Sequence, residues 1–324
     1  MRRIALLIAV AALLALPFFA GGLLTLSTVV LAKALAVLGV FLLLQAGQVS
    51  FGHGMFFAVG AYSVAYIGGW WRDADLILLT LAAIAVSGIG GLLVGLFVAR
   101  YRYIFFGMLN LAFSMVLFAV LEKFFHLTGG TDGIRIRRPT LLGFEFGRGQ
   151  FDLVLYYLVL ALALVSAVLV WQYLRSPIGQ ALKALKVNET RLEYIGLSAR
   201  NTILAAYVFS AILCGLGGLS LGIVQGLATP DYTFWTRSSE FVFIAVLGGT
   251  GHVVGAFAGS FVYELVRFYA AALLEDSWQL ILGIVLIAVW APSPAATVAN
   301  GHSAPLYPPP PWITMTRAAA SGIT

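Results

Sequence analysis

The feature that most restricts this chain is a succession of long apolar runs separated only by short polar interruptions. The runs fall at 4–20, 23–44, 55–70, 76–98, 103–121, 153–174, 202–224, 254–272 and 277–291. Most come close to the roughly 20 helical residues that cross a bilayer core. A further run, 238–249, is too short for a full crossing and ends in Gly248-Gly249. It is either a tilted short span or a broken, re-entrant element. In the second case it must be buried among other helices, because unpaired backbone in lipid is too costly. The expected fold is all-α, a polytopic transmembrane helix bundle of about nine or ten membrane segments. Only 10% of the residues are charged and the mean hydropathy is +0.98, where a soluble domain carries about a quarter charged residues to cover its surface. The outer surface must therefore meet lipid. The runs are continuous enough for one membrane domain over 1–291. A Pro-rich tail follows over 292–324, which shows no face to bury, is expected to be disordered or extended, and is assigned no role.

Charge placement orients the bundle. With the N-terminus inside and 238–249 counted as a crossing, the inner segments are 1–3, 45–54, 99–102, 175–201 and 250–253. They carry Arg2, Arg3, Arg100, Arg102, Arg175, Lys183, Lys186, Arg191 and Arg200 against only Glu189 and Glu193. The opposite side holds most of the acids, which is the positive-inside pattern. The net charge of +6 is read as this bias rather than as an affinity for nucleic acid. One loop resists it: 122–152 falls outside yet carries Arg135, Arg137, Arg138 and Arg148. The start, Met1-Arg2-Arg3 before an apolar run, could open a signal peptide. No clear cleavage site follows, so it is read as a retained first helix. A lone cysteine, Cys214, excludes an internal disulfide and a multi-cysteine metal site and is read as a packing residue. Glycines four apart (Gly91 and Gly95; Gly218, Gly222 and Gly226; Gly251, Gly255 and Gly259) lie on single helix faces where backbones can approach, and are read as building the bundle.

Three segments stand out. In 45–54, three glycines and the side chains of Gln45, Gln48 and Ser50 interrupt the apolar pattern. Here the backbone can leave helical geometry, and these side chains can satisfy the groups this frees. Spacing alone leaves two readings open, a broken helix lining a substrate path or an ordinary turn. His53 has no His, Asp or Glu nearby in sequence and is not read as a metal ligand. In 175–201, Ser176-Pro177 starts a helix. Ile178, Leu182 and Leu185 then fall on one face, Asn188-Glu189 interrupts, and Leu192 and Ile195 form a short second turn closed by Gly196. Such an amphipathic pair either lies on the membrane surface or docks into a groove on a cytosolic partner. In 247–255, Gly248, Gly249 and Thr250 resemble a phosphate cradle only superficially, because no Lys-Ser/Thr pair follows, and are read as a kink. No phosphate loop occurs elsewhere, so this chain alone is not expected to hydrolyse ATP. Lys33 lies inside a span, where charge is expensive; it pairs, snorkels or marks a misplaced boundary. Glu264 and Arg267, three apart, are expected to neutralise each other. No nucleophile–base set and no metal spacing is found, so no catalytic residue is assigned.

The same segments carry a family resemblance. The stretch from Gly47 to Tyr62 resembles the N-terminal signature of LivM-type permeases, membrane subunits of branched-chain amino acid ABC importers. Ser176 to Ala184, Asn188-Glu189, Ile195 to Leu197, Gly215 to Leu219, Val246 to Gly251 and the outer-loop stretch Thr128 to Gly133 agree in order and spacing over about residues 30–291. The resemblance implies a non-enzymatic permease in a bacterial inner membrane, working by alternating access, that binds no cofactor itself. It implies a second, LivH-like permease, two cytosolic ATPase subunits that use ATP, and a periplasmic or lipid-anchored binding protein. It assigns 176–197 to the ATPase contact, with Ile178, Leu182, Lys183, Leu185, Asn188 and Glu189 as coupling residues. Gln45, Gln48, Ser50, Gly52, His53, Gly248, Gly249 and Thr250 remain candidate breaks along the path. Related permeases also serve urea, short amides and aromatic acids. After Ala291-Pro292 the chain departs from the family's usual continuation. The rival from another class is an ion-coupled secondary transporter, which needs membrane-embedded acids in a relay; only Glu264 is a candidate.

Overall fold

The computed structural model describes residues 13–17, 21–71, 74–141, 143–144, 146–194, 196–273 and 283–284. Most of the expected runs 277–291 and 4–20, the tail 292–324 and Ile195 lie outside them. The described chain is a helix bundle: α1 Leu24–Gln45, α2 Gly54–Trp70, α3 Leu76–Val98, α4 Tyr103–Lys123, α5 Arg148–Arg175, α6 Pro177–Val187, α7 Glu189–Tyr194, α8 Ala199–Gln225, α9 Trp235–Leu247 and α10 Val254–Leu273. By length and composition, α1, α3, α4, α5 and α8 are each apolar and long enough to cross a membrane.

The burial of these helices follows from their sequences. α1 is apolar all round and its most apolar window is 83% buried, against 22% for α3 and 28% for α4. A helix with no polar face belongs in the centre. α8 is the other central helix, packing on α1, α2 and α3. Small residues make these approaches possible. A Cβ at Gly60 would overlap the backbone of Gly215, one at Gly218 would overlap Phe57, and one at Gly91 would press on Ala211. In such contacts van der Waals packing replaces the hydrophobic drive that lipid does not supply. The expected glycine faces hold with two exceptions. Gly226 closes α8 as a left-handed cap, and Gly251 meets nothing within 4 Å.

The connections sort into two ends. At one end, Gln48 Oε1 accepts from the Tyr103 amide at 2.8 Å, Arg102 pairs with Glu189, and Gln45 donates to the Thr250 carbonyl at 2.7 Å. This end carries α6 and α7. At the far end, a two-residue antiparallel ribbon pairs Ile134 with Ala228 and Arg135 with Leu227. The same strip is tied to the start of α3, because Leu76 N donates to Thr140 O at 2.8 Å and Thr140 N to Ala74 O at 3.3 Å. These contacts join 122–152 to 74–76 and to 226–228, the side the charge count gave it. Its exposed Arg135, Arg137 and Arg138 are thus a real exception to the bias.

Two helices start deep inside the bundle. α2 is about 25 Å long by helical rise. It runs from Trp70 and Trp71, both exposed at the far end, to Gly54, whose amide donates to Ser238 Oγ of α9 at 2.8 Å. α9 follows a non-helical stretch, the ribbon and then a 3-10 turn at Pro230–Thr233 that Ser114, midway along α4, fixes through the Thr233 carbonyl at 2.6 Å. Of the two readings for 238–249, a broken element buried among other helices is the one found. The short helix follows backbone that is not α-helical, and it buries Ser238, Phe241, Val242, Ile244 and Ala245 against its neighbours while Trp235 and Phe243 stay exposed.

Candidate functional site

The break after α1 begins as a helix terminus. The amides of Ala46, Gly47 and Gln48 turn back onto the carbonyls of Leu43 and Leu44, with Gly47 at φ +71° as the position that needs glycine. The α-carbon of Gly47 faces the aliphatic stem of Lys186 in α6, where an added Cβ would stand 3.2 Å from Cγ. Gln45 reaches across to Thr250. The two breaks and the expected coupling segment, which lie far apart in the sequence, thus meet at one end of the bundle. Gln48 holds the other flank through Tyr103, the only non-glycine residue with positive φ (52°) among the described residues.

From there the chain enters the interior. Gln48, Ser50 and His53 are buried, whereas Gly249 and Thr250 are exposed. Ser50 Oγ lies 2.6 Å from His53 Nδ1. The imidazole meets Phe56 and Tyr207 edge-on, at 5.4 and 5.3 Å between centroids. Tyr207 donates to Asn110 Oδ1, and Asn110 Nδ2 to the Phe106 carbonyl at 2.8 Å. Gly52 lies against the Asn110 backbone so closely that a Cβ would overlap its carbonyl. The segment 45–54 is thus a buried connection wedged between α4 and α8. His53 Nε2 has no hydrogen-bond partner. Among the described residues no group of three His, Cys, Asp or Glu could hold a metal ion.

In α6, Ser176 Oγ accepts from the Gly179 amide at 3.3 Å, the cap expected there. The face assignment needs correction. Leu182 and Leu185 are buried, but Ile178 is 50% exposed. The buried stripe instead runs Gly179, Leu182, Leu185, because Gly179 lets the first turn lie directly on the Tyr173–Leu174 backbone and turns Ile178 outward. Ile178, Val187, Tyr194 and Leu197 form the exposed apolar set of this segment, with Lys183 exposed beside it. Asn188 Oδ1 accepts from Arg191 N at 3.1 Å and opens α7. Glu189 is not a free charge. Arg102 grips both its oxygens, Nη2 to Oε1 at 2.8 Å and Nε to Oε2 at 3.0 Å, while donating to the Ala99 carbonyl at 2.7 Å.

A third feature was missed from sequence. Lys33, near the midpoint of α1, is 1% exposed and bonds Glu240 of α9 at 2.5 Å and Glu264 of α10. Arg237 donates to Glu240 at 2.7 Å, and Arg267 lies 3.7 Å from Glu264. Glu264 is therefore held first by Lys33 rather than by Arg267, and Glu240 is a second buried acid that the reading of 238–249 as an apolar run overlooked. The signal available was the repeated spacing, Arg237-x-x-Glu240 and Glu264-x-x-Arg267, flanking a lone Lys in a span.

Comparison with known proteins decides the family. The model of the family described as branched-chain amino acid transport system / permease component matches residues 22–290. The chain belongs to that family. It is 29% identical over 268 residues to the high-affinity branched-chain amino acid transport system permease protein LivM of Salmonella typhimurium, covering 76% of this chain and 63% of that protein. The corresponding BraD protein of Pseudomonas aeruginosa is 24% identical, over 76% of this chain and 85% of its own length. The guanosine ABC transporter permease protein NupP of Bacillus subtilis is 27% identical over 59% of this chain and 57% of its own. No solved structure matches. The chain spans less than two thirds of the LivM protein it matches. All three relatives are named as permeases rather than enzymes.

Proposed function

We propose that this chain is the membrane-spanning permease subunit of an ATP-driven importer in a bacterial inner membrane, and that it carries branched-chain or related aliphatic amino acids inward by alternating access. A second, LivH-like permease completes the path. Two cytosolic ATPase subunits bind the end that carries α6 and α7, and a periplasmic or lipid-anchored binding protein delivers cargo at the far end. The supporting observation is the junction at the α6 end. There the buried stripe of α6 fixes the helix to the bundle, its exposed apolar residues and Lys183 stay available to a cytosolic partner, and Lys186 rests on Gly47 at the mouth of the buried connection 45–54. Movement imposed on α6 has a direct mechanical route to that connection. For such coupling, the ATPase must bind the two states of the permease differently. Coupling residues are Ile178 and Lys183 at the partner face, Leu182 and Leu185 as anchors, and Asn188 and Glu189 holding α7 in place. Gln45, Gln48, Ser50, Gly52, His53, Gly248, Gly249 and Thr250 shape the passage.

The cargo reading rests on the LivM and BraD relatives; NupP, named for guanosine, marks how far cargo varies within this family. The deciding test is uptake of radiolabelled leucine by vesicles holding the chain with its second permease and ATPase. Leucine accumulation should require ATP. Accumulation driven by an ion gradient without ATP would refute the assignment in favour of a secondary transporter. Lys183→Glu should lower uptake while leaving the chain in the membrane, and unchanged uptake with normal ATPase assembly would refute the docking role.

A further inference from the structure

Five charges alternate in sign along one ladder, Arg237, Glu240, Lys33, Glu264 and Arg267, which runs from the buried Lys33 out to Arg267, 41% exposed. Its members are not equivalent. Each carboxylate has an arginine one turn away on its own helix, so α9 and α10 each carry their own compensation. α1 does not, since Leu24–Gln45 contains no Asp or Glu. Lys33 is also the most deeply buried rung, with the Tyr263 ring 5.3 Å from its ammonium. If both its carboxylates withdrew, an unpaired ammonium would remain inside a membrane-embedded core, which is strongly unfavourable. If only one withdrew, every charge would keep a partner. Lys33 can therefore release either helix, but never both.

The two helices also differ in freedom. Glu240 is already bonded by Arg237 at 2.7 Å, so its charge stays compensated when it leaves Lys33. Glu264 is bonded by Lys33 and stands 3.7 Å from its own arginine. α9 is bounded by backbone that is not α-helical on both sides, the stretch 226–234 with its 3-10 turn before it and Gly248-Gly249 after it, Gly249 at φ +81°. Near that turn the hairpin is tight, because a Cβ at Gly255 or Gly259 would overlap the backbone of the facing helix. Toward Glu240 the ladder joins the two helices, and α9 is also fastened to α2 by Gly54 N, which donates to Ser238 Oγ at 2.8 Å.

We propose that Lys33 is a positioning residue for transport, a latch that holds Glu264 throughout the cycle and takes and releases Glu240 as α9 swings about Gly248-Gly249. This rests on the two-state transport reading above. It predicts opposite phenotypes for two conservative changes. Glu240→Gln weakens the releasable contact, so α9 leaves too readily, and ATP hydrolysis without cargo rises while leucine moved per ATP falls. Glu264→Gln removes the permanent contact, so releasing Glu240 would expose the ammonium; α9 is locked, and uptake falls by about tenfold or more at equal amounts of folded protein. Removing the ammonium as well, in Lys33→Met/Glu264→Gln, should restore much of that uptake.

The test uses the full complex in phosphatidylethanolamine/phosphatidylglycerol vesicles with radiolabelled leucine. It is paired with hydrogen exchange across 235–247 in the purified chain. Exchange should quicken in Glu240→Gln and not in Glu264→Gln. If both variants exchange alike, or the double variant transports no better than Glu264→Gln, the latch is overturned. If the wild-type complex shows no ATP-driven uptake, the transport reading fails, and the exchange measurement still decides on the latch.

Discussion

The junction at the α6 end and the charge ladder both join α1 to the α9–α10 hairpin, yet they are built from different materials. The junction uses side-chain-to-backbone hydrogen bonds, such as Gln45 to Thr250, and close backbone approaches at glycine. The ladder uses full charges at mid-span. Hydrogen bonds to neutral groups are individually modest and can be exchanged with water at an exposed end. Charges withdrawn from water cannot be left alone. The junction can therefore flex by small degrees, while the ladder changes only by whole partners.

That contrast orders the expected effects. The largest is for Lys33→Met alone, which takes the shared ammonium from two acids and leaves each only the arginine on its own helix; it should cost about 3 kcal/mol, read as a lowered melting temperature in detergent. The double variant Lys33→Met/Glu264→Gln, which keeps the Arg237–Glu240 pair, should recover most of this loss, and a double variant no better than the single one would break the distinction between the two regions. Next is Gly52→Ala, which drives a methyl into the Asn110 carbonyl and should cost about 1–3 kcal/mol, measured the same way, although no charge is touched. Arg102→Ala removes the half-exposed grip on Glu189 and should cost about 1 kcal/mol or less, with the difference shrinking at high salt. Smallest is Gln45→Ala, where the exposed bond to Thr250 should contribute about 0.5 kcal/mol; here leucine uptake rather than melting is the sensitive readout.

How much was legible follows the same division. The spans were readable because each is a local run: α3 was expected at 76–98 and occurs there, and the ends of α1, α2 and α8 fall within a few residues of expectation. Gly196 announced a helix end because only local backbone geometry was at stake, and it takes positive φ. The ladder was not legible, because Glu240 and Glu264 lie 207 and 231 residues from Lys33 and only the packing of three helices brings them together. Ile178 was misplaced for a subtler reason. Helical periodicity put it in line with Leu182 and Leu185, but the close seat of Gly179 on the preceding helix rotated the first turn. The meeting of 45–54 with 248–252 was likewise out of reach, although each was recognised alone.

The fastening of the two ends carries one more implication. At the far end the strip 133–141 is laced to its neighbours by backbone bonds, Ile136 N to Gly226 O at 2.9 Å and Leu76 N to Thr140 O at 2.8 Å. At the other end α7 is held to the α3–α4 turn by an ion pair. Dissolved ions shield the second kind of attachment and hardly affect the first. Brine and dilute buffer should therefore loosen the molecule unequally, slackening the end that carries α7 while leaving the opposite rim as tight as before.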